Sequence, residues 1–90
     1  MYFLEVKPSL KKKFLKLTKK NPKQMEMISK KSEEIIQDPH RYKNLRKPLN
    51  HWKRVRIDNH FVLTFSIDET FKKVILEDYE HHDRIYKTRS

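Results

Sequence analysis

Residues 52–86 read WKRVRIDNHFVLTFSIDETFKKVILEDYEHHDRIY, and the spacing of apolar residues in this stretch decides the fold. Two apolar runs, 61–67 (FVLTFSI) and 74–76 (VIL), have the branched and aromatic content of strands at the centre of a sheet. Residues 52–58 precede them as a further strand. Side chains alternate along a strand, so Trp52, Arg54 and Arg56 fall on one face and Val55 and Ile57 on the other. Asp58-Asn59 supports a tight hairpin, since Asn tolerates positive φ where glycine is lacking. Asp68-Glu69-Thr70 reads as the turn into a last strand over about 71–79. Residues 81–90 then read as a short turn or tail. A sheet with arginines at its entry and His81, His82 and Tyr86 at its exit can hold a phosphate over one concave face.

The preceding half reads as the cover for the opposite face. Residues 2–6 (YFLEV) suit a first strand. Pro8-Ser9 starts a helix in which Leu10, Phe14 and Leu17 recur at helical spacing up to about Lys20. Asn21-Pro22 breaks it. A second helix follows to Gln37, with Met25, Ile28, Ser32, Ile35 and Ile36 on one stripe, and Asp38-Pro39 ends it. Residues 40–51 look irregular, with Leu45 and Leu49 as anchors and Arg41, Lys43, Arg46 and Lys47 facing outward. The expected architecture is α+β, one domain over residues 1–90, in the order β-α-α-β-β-β: a small, largely antiparallel sheet against a helical hairpin.

Composition narrows the functions. The 90 residues carry 22 Lys+Arg against 12 Asp+Glu, a formal net charge of +10. Such a chain attracts polyanions, nucleic acid first and acidic proteins next. The charge is uneven: 7–31 holds ten lysines and one acid, Glu26, and 41–56 holds seven basic residues and no acid. The lysine runs along the first helix read mainly as a solvated outer face. Glycine is absent, which excludes the Gly-rich phosphate loops of nucleotide-binding folds; any phosphate must be held by side chains. There is no cysteine, hence no disulfide and no thiolate metal site. No run has the length of a membrane span or the form of a signal peptide, so a soluble, cytoplasmic domain is expected.

These residues resemble the RelE-type toxins of bacterial and archaeal toxin–antitoxin systems, within the RelE/ParE superfamily. The resemblance covers nearly the whole chain. It is most specific in Leu45-Arg46-Lys47-Pro48-Leu49, Trp52-Lys53-Arg54-Val55-Arg56-Ile57, Phe61-Val62-Leu63-Thr64-Phe65-Ser66-Ile67-Asp68 and His81-His82-Asp83-Arg84-Ile85-Tyr86. RelE-like members are β-α-α-β-β-β proteins that cleave messenger RNA in the ribosomal A site and are silenced by an acidic, partly disordered RelB-like antitoxin. ParE-like members share the fold, lack the nuclease residues and inhibit DNA gyrase by binding. Fold alone does not choose between them.

The resemblance implies a catalytic set of Arg54, Arg56, His82 and Tyr86. Lys43, Arg46, Lys47, Lys53 and His81 would hold flanking RNA, and no cofactor is implied. Cleavage through the ribose 2′-OH needs a proton withdrawn, a phosphorane neutralised and the leaving oxygen protonated. Arginine suits the second task, because its planar fork matches phosphate and stays charged. Imidazole titrates near neutrality, so His82 is assigned proton transfer, and Tyr86 stacking on a base. Phe61 departs from the family pattern, which often has arginine there. No metal site is expected at His81-His82, since neighbours on a strand point to opposite faces and no HxxxH motif supplements them. The expected activity is a metal-independent, ribosome-dependent mRNA endonuclease; the alternative is a gyrase inhibitor.

Overall fold

The computed structural model describes the backbone of residues 1–87 and the side chains of residues 1–84. The elements are β1 (Phe3–Val6), α1 (Pro8–Lys20), α2 (Pro22–Gln37), a 3-10 turn at Pro39–Arg41, β2 (Lys53–Arg56), β3 (Phe61–Asp68), β4 (Lys73–His81) and α3 (His82–Lys87). The four strands form one sheet in the order β1-β4-β3-β2. The β2–β3 and β3–β4 pairs are antiparallel, while β1 returns beside β4 in parallel. The expected α+β order is therefore present, with α3 added.

Local chemistry sets the helix limits. Helices α1 and α2 each have proline in the first turn, where the missing N–H is no loss. Asn21 joins them: its N–H donates to the Leu17 carbonyl at 2.7 Å, and its Oδ1 accepts from Gln24 N at 3.2 Å. The buried stripes are Leu10 and Phe14 on α1 and Gln24, Ile28, Ser32 and Ile35 on α2. They meet Ile57, Leu63, Phe65, Val74, Leu76 and Tyr79 from the sheet in one core.

The other face of the sheet is only partly covered. Val62 is buried there with Leu45, against Leu49 and Trp52, so the 40–51 segment is anchored by its leucines as the sequence indicates. Strand β3 is consequently covered on both sides: Val62, Leu63, Thr64 and Phe65 are all at most 2% exposed. A bulge interrupts its pairing with β4, where Thr64 faces Asp78 and Phe65 faces Leu76. Beyond the end of β1, Lys13 of α1 reaches the free edge of β4. Its Nζ donates to the Tyr79 carbonyl at 3.1 Å and to Asp78 and Glu80 at 3.0 Å each. Most of the α1 lysines are solvated, but this one closes an edge.

Three boundaries differ from the sequence reading. β2 stops at Arg56, two residues early, because Asp58 leaves the ladder and turns the chain. Its Oδ1 accepts the N–H groups of His60 and Phe61 at 2.8 Å each. Asn59 is not in the left-handed region; among the described residues the non-glycine with positive φ is Lys72, at 53°, in the β3–β4 turn. Finally, β4 runs on to His81 and α3 follows, where a turn or tail was expected.

Asp58 also ties this turn to the helices. Gln24 Nε2 donates to Asp58 Oδ2 at 3.1 Å and lies 2.6 Å from the Tyr79 hydroxyl. Burial works against the charged carboxyl, but the two backbone N–H groups and the Gln24 amide outweigh it and hold its pKa below the ordinary 3.8. A depressed folded pKa means stabilisation that is complete above about pH 4 and lost as pH falls through the folded value. Asp58→Asn should therefore melt lower than wild type at neutral pH, with the gap narrowing in acid. A gap independent of pH, measured by thermal melting, would contradict the network. Phe65→Ala removes a ring at 0% exposure and should lower unfolding free energy by about 3–5 kcal/mol. Urea denaturation with an unchanged midpoint would refute the core described here.

Candidate functional site

Strand register fixes which basic side chains can act together. Arg54 pairs with Thr64 and Arg56 with Val62, while Val55 and Ile57 pack with the helix-side core. Arg54 and Arg56 thus share the face turned away from the helices, as alternation requires. The segment after the 3-10 turn crosses the free edge of β2: Arg54 N donates to the Lys43 carbonyl at 3.0 Å, and Asn44 bridges Lys53. Between this segment and β2 lies a groove of about 390 Å³. Arg41, Tyr42, Lys43, Arg54, Arg56 and Val62 line it, with no acid among them.

One of the lining residues, Tyr42, carries an unusual atom. Tyr42 packs edge-on against Phe65, ring centroids 5.7 Å apart, and the Arg41 guanidinium lies 5.2 Å from its ring centre. Its hydroxyl is buried and has no hydrogen-bond partner among the described residues. Neither Arg41 nor Tyr42 stood out in the sequence as a site residue; Arg41 was read only as outward-facing. Nothing local to them signals a groove, which arises from the way the segment folds over β2.

Lys53 is engaged within the protein. Its Nζ donates to the Tyr42 carbonyl at 2.8 Å and to Asn44 Oδ1 at 3.0 Å, clamping the segment that forms the groove wall. It also pairs with Phe65, so it springs from the opposite face to the arginines. Lys43 is exposed at the groove, and Arg46 and Lys47 are exposed immediately after the Leu45 anchor.

Acids on the open face are matched by lysines from the β1–α1 side. Lys7 lies 2.7 Å from Glu77, and Lys13 sits between Asp78 and Glu80. Burial opposes the Lys13 charge, yet bonds to both carboxylates raise its pKa above the ordinary value. With β4's carboxylates engaged in this way, the field over β2 stays positive.

The histidines form a separate cluster, outside the groove lining. His81 is the last residue of β4 and pairs with Phe61; Phe61 packs against the helix-side core. Side by side run Phe14, Tyr79, Phe61 and His81, with Tyr79 and Phe61 stacked at 5.0 Å and Phe61 edge-on to His81 at 5.6 Å. Phe61 therefore supports the histidine from the core. His81 faces the helix side, opposite to Arg54 and Arg56, so its assignment beside them on one RNA-binding face is not met by the strand geometry.

His82 opens α3 rather than continuing the strand. Its N–H donates to the His60 carbonyl at 2.7 Å, with Nδ1 3.2 Å from the same oxygen. Because the strand has ended, His81 and His82 do not diverge: their rings stack 4.9 Å apart. The expectation that they point to opposite faces is overturned here. Glu80, two residues before His82, is in register with Val62 and thus with Arg56. Two strand spacings, about 10 Å, separate that row's ends. Tyr86 has its backbone in α3, but its side chain lies outside the described residues.

No family model matches the chain. A protein of Methanosarcina mazei without an assigned function is 62% identical over 86 residues, 96% of this chain and all of that one. RelE4 of Methanocaldococcus jannaschii, whose name places it among the RelE toxins, is 55% identical over 89 residues, 99% of this chain and 95% of its own. The RelBE2 toxin–antitoxin complex of Mycobacterium tuberculosis contains a chain with the same fold, at a TM-score of 0.75 and 20% identity, covering 89% of this chain and 96% of that one. With identity of this order along almost its full length, the chain belongs to the RelE family of toxin–antitoxin toxins.

Proposed function

We propose that this toxin is an endoribonuclease that cuts messenger RNA on the ribosome without a metal ion, and that an acidic RelB-like antitoxin silences it. The observation that carries this reading is the acid-free groove of Arg41, Lys43, Arg54 and Arg56. Four fixed cations around one cleft suit an RNA backbone, and the paired arginines on β2 suit the phosphate at which charge develops.

In the reaction, Arg54 and Arg56 neutralise the phosphorane formed when the 2′-oxygen attacks. His82, held through its Nδ1 side by the His60 carbonyl, transfers a proton through Nε2, the nitrogen beside Asp83. Tyr86 stacks on a base. The groove and the histidine lie at two ends of one sheet row, so a substrate must bridge them; a message held in the ribosomal A site supplies that bent, fixed strand. The same positive face attracts the antitoxin, and an acidic segment over the groove would exclude RNA.

Brief induction followed by mapping of mRNA 5′ ends tests the reading. Wild type should leave cuts at codon positions of translated messages. His82→Ala should cut at least about a hundredfold more slowly, the usual value of a positioned acid or base, and Arg56→Ala should relieve growth inhibition without lowering the melting temperature. Growth arrest with intact messages would instead favour inhibition by contact, with DNA gyrase as the next target assayed. Lys53→Ala should behave differently from both: loss of the charged clamp on the Tyr42 carbonyl should lower stability by about 1–3 kcal/mol. An unchanged melt would remove Lys53 from its structural role.

A further inference from the structure

The stacked histidines form the start of a donor set of which the nuclease reading uses only His82 for chemistry. His81, His82 and Asp83 each bring one donor atom within 4.8 Å of the others. His82 Nε2 lies 3.0 Å from Asp83 Oδ1, and His81 Nδ1 lies 3.8 Å from Asp83 Oδ2. On its other side, His82 Nδ1 is 3.2 Å from the His60 carbonyl. A carbonyl accepts only, so Nδ1 carries the hydrogen there, and in neutral imidazole Nε2 then carries the lone pair. That lone pair faces a carboxylate oxygen. The two atoms therefore aim at one point, with His81 beside them.

The surroundings match a metal site in three further respects. A ligating imidazole typically donates its second nitrogen to a carbonyl or carboxylate, which fixes ring and tautomer; His82 does so with the His60 carbonyl. The His81 ring is held by Phe61 from the core side and is stacked with His60 at 5.8 Å, so the pair is positioned rather than loose. All three donor side chains also have solvent access, at 40%, 31% and 64% for His81, His82 and Asp83. Ligands on one tetrahedral ion stand about 3.4 Å apart, given bonds of about 2.0–2.2 Å. Rotation of these open side chains covers the difference from 4.8 Å.

We infer that His81, His82 and Asp83 bind one divalent transition-metal ion of the zinc class, through two imidazoles and one carboxylate with the fourth position left to water. Two nitrogens and one oxygen favour zinc or copper over magnesium or calcium, which prefer all-oxygen sets. This site goes beyond the nuclease reading and is independent of it, because binding involves no RNA. One consequence does rest on that reading: an ion on His82 Nε2 occupies the atom assigned to proton transfer, so metal would switch cleavage off.

Calorimetric titration of Zn²⁺ into the full chain, with Co²⁺ absorption as a second readout, tests the site. One ion per chain and tetrahedral Co²⁺ bands are expected. Asp83→Asn and His81→Ala should each weaken binding by at least about tenfold, since loss of even an outer partner of a metal site has that effect. His40→Ala, whose ring is held by Glu69 at 3.0 Å, should leave affinity unchanged. Thermal melts show whether each variant folds. No binding by wild type would overturn the proposal. Binding unaffected by both substitutions, or equally weakened by His40→Ala, would overturn it too. In a cleavage assay Zn²⁺ should inhibit and EDTA restore. Full activity of the zinc-loaded chain would overturn the regulatory consequence while leaving the site.

Discussion

Burial of β3 on both faces is the constraint from which the rest of this structure follows. Leu63 and Phe65 enter the core beneath the helices, while Val62 enters the small cluster with Leu45. A strand covered twice has its register specified twice, because a slip of one residue would exchange every side chain between two unlike environments. Its neighbours inherit that certainty. Pairing of Arg54 with Thr64 and Arg56 with Val62 puts two long charged side chains on the face where only a small apolar cluster competes for space. They reach solvent without displacing the core.

The same strand supplies the support for the histidines. Phe61, at its start, stacks on Tyr79 and touches His81. An arginine at this position would extend a phosphate-binding surface; a phenylalanine instead lengthens the core toward the end of the sheet. Basic residues are then concentrated at β2 and the segment crossing it, and imidazoles at the end of β4. This division places the fixed cations and the imidazoles in separate regions of the sheet.

Several lysines that look alike in the sequence have different parts. Lys13 closes the edge of β4, Lys7 meets Glu77, and Lys53 fastens the groove wall. Others on α1 are solvated. Charge count alone predicts attraction to polyanions but not which cations remain available, since each carboxylate or free carbonyl in reach claims one. The uneven distribution visible along the chain nevertheless survives folding as a positive β2 side.

Periodicity in the sequence determined the helical hairpin, all four strands to within two residues, the leucine anchors and the common face of Arg54 and Arg56. These follow from alternation on a strand and the 3.6-residue repeat of a helix, which are local geometry. The family could be read from the same residues, since its motifs are short and contiguous. Tertiary structure decided what depends on chain segments meeting. The groove exists because residues 41–44 fold back across β2, and Tyr42 and Arg41 join it only by that contact. Lys53 is tied to the crossing segment by carbonyl and amide oxygens that no spacing announces. His81 and His82 converge because the strand ends between them, and a helix start changes the direction of a side chain that strand alternation would have sent to the opposite face.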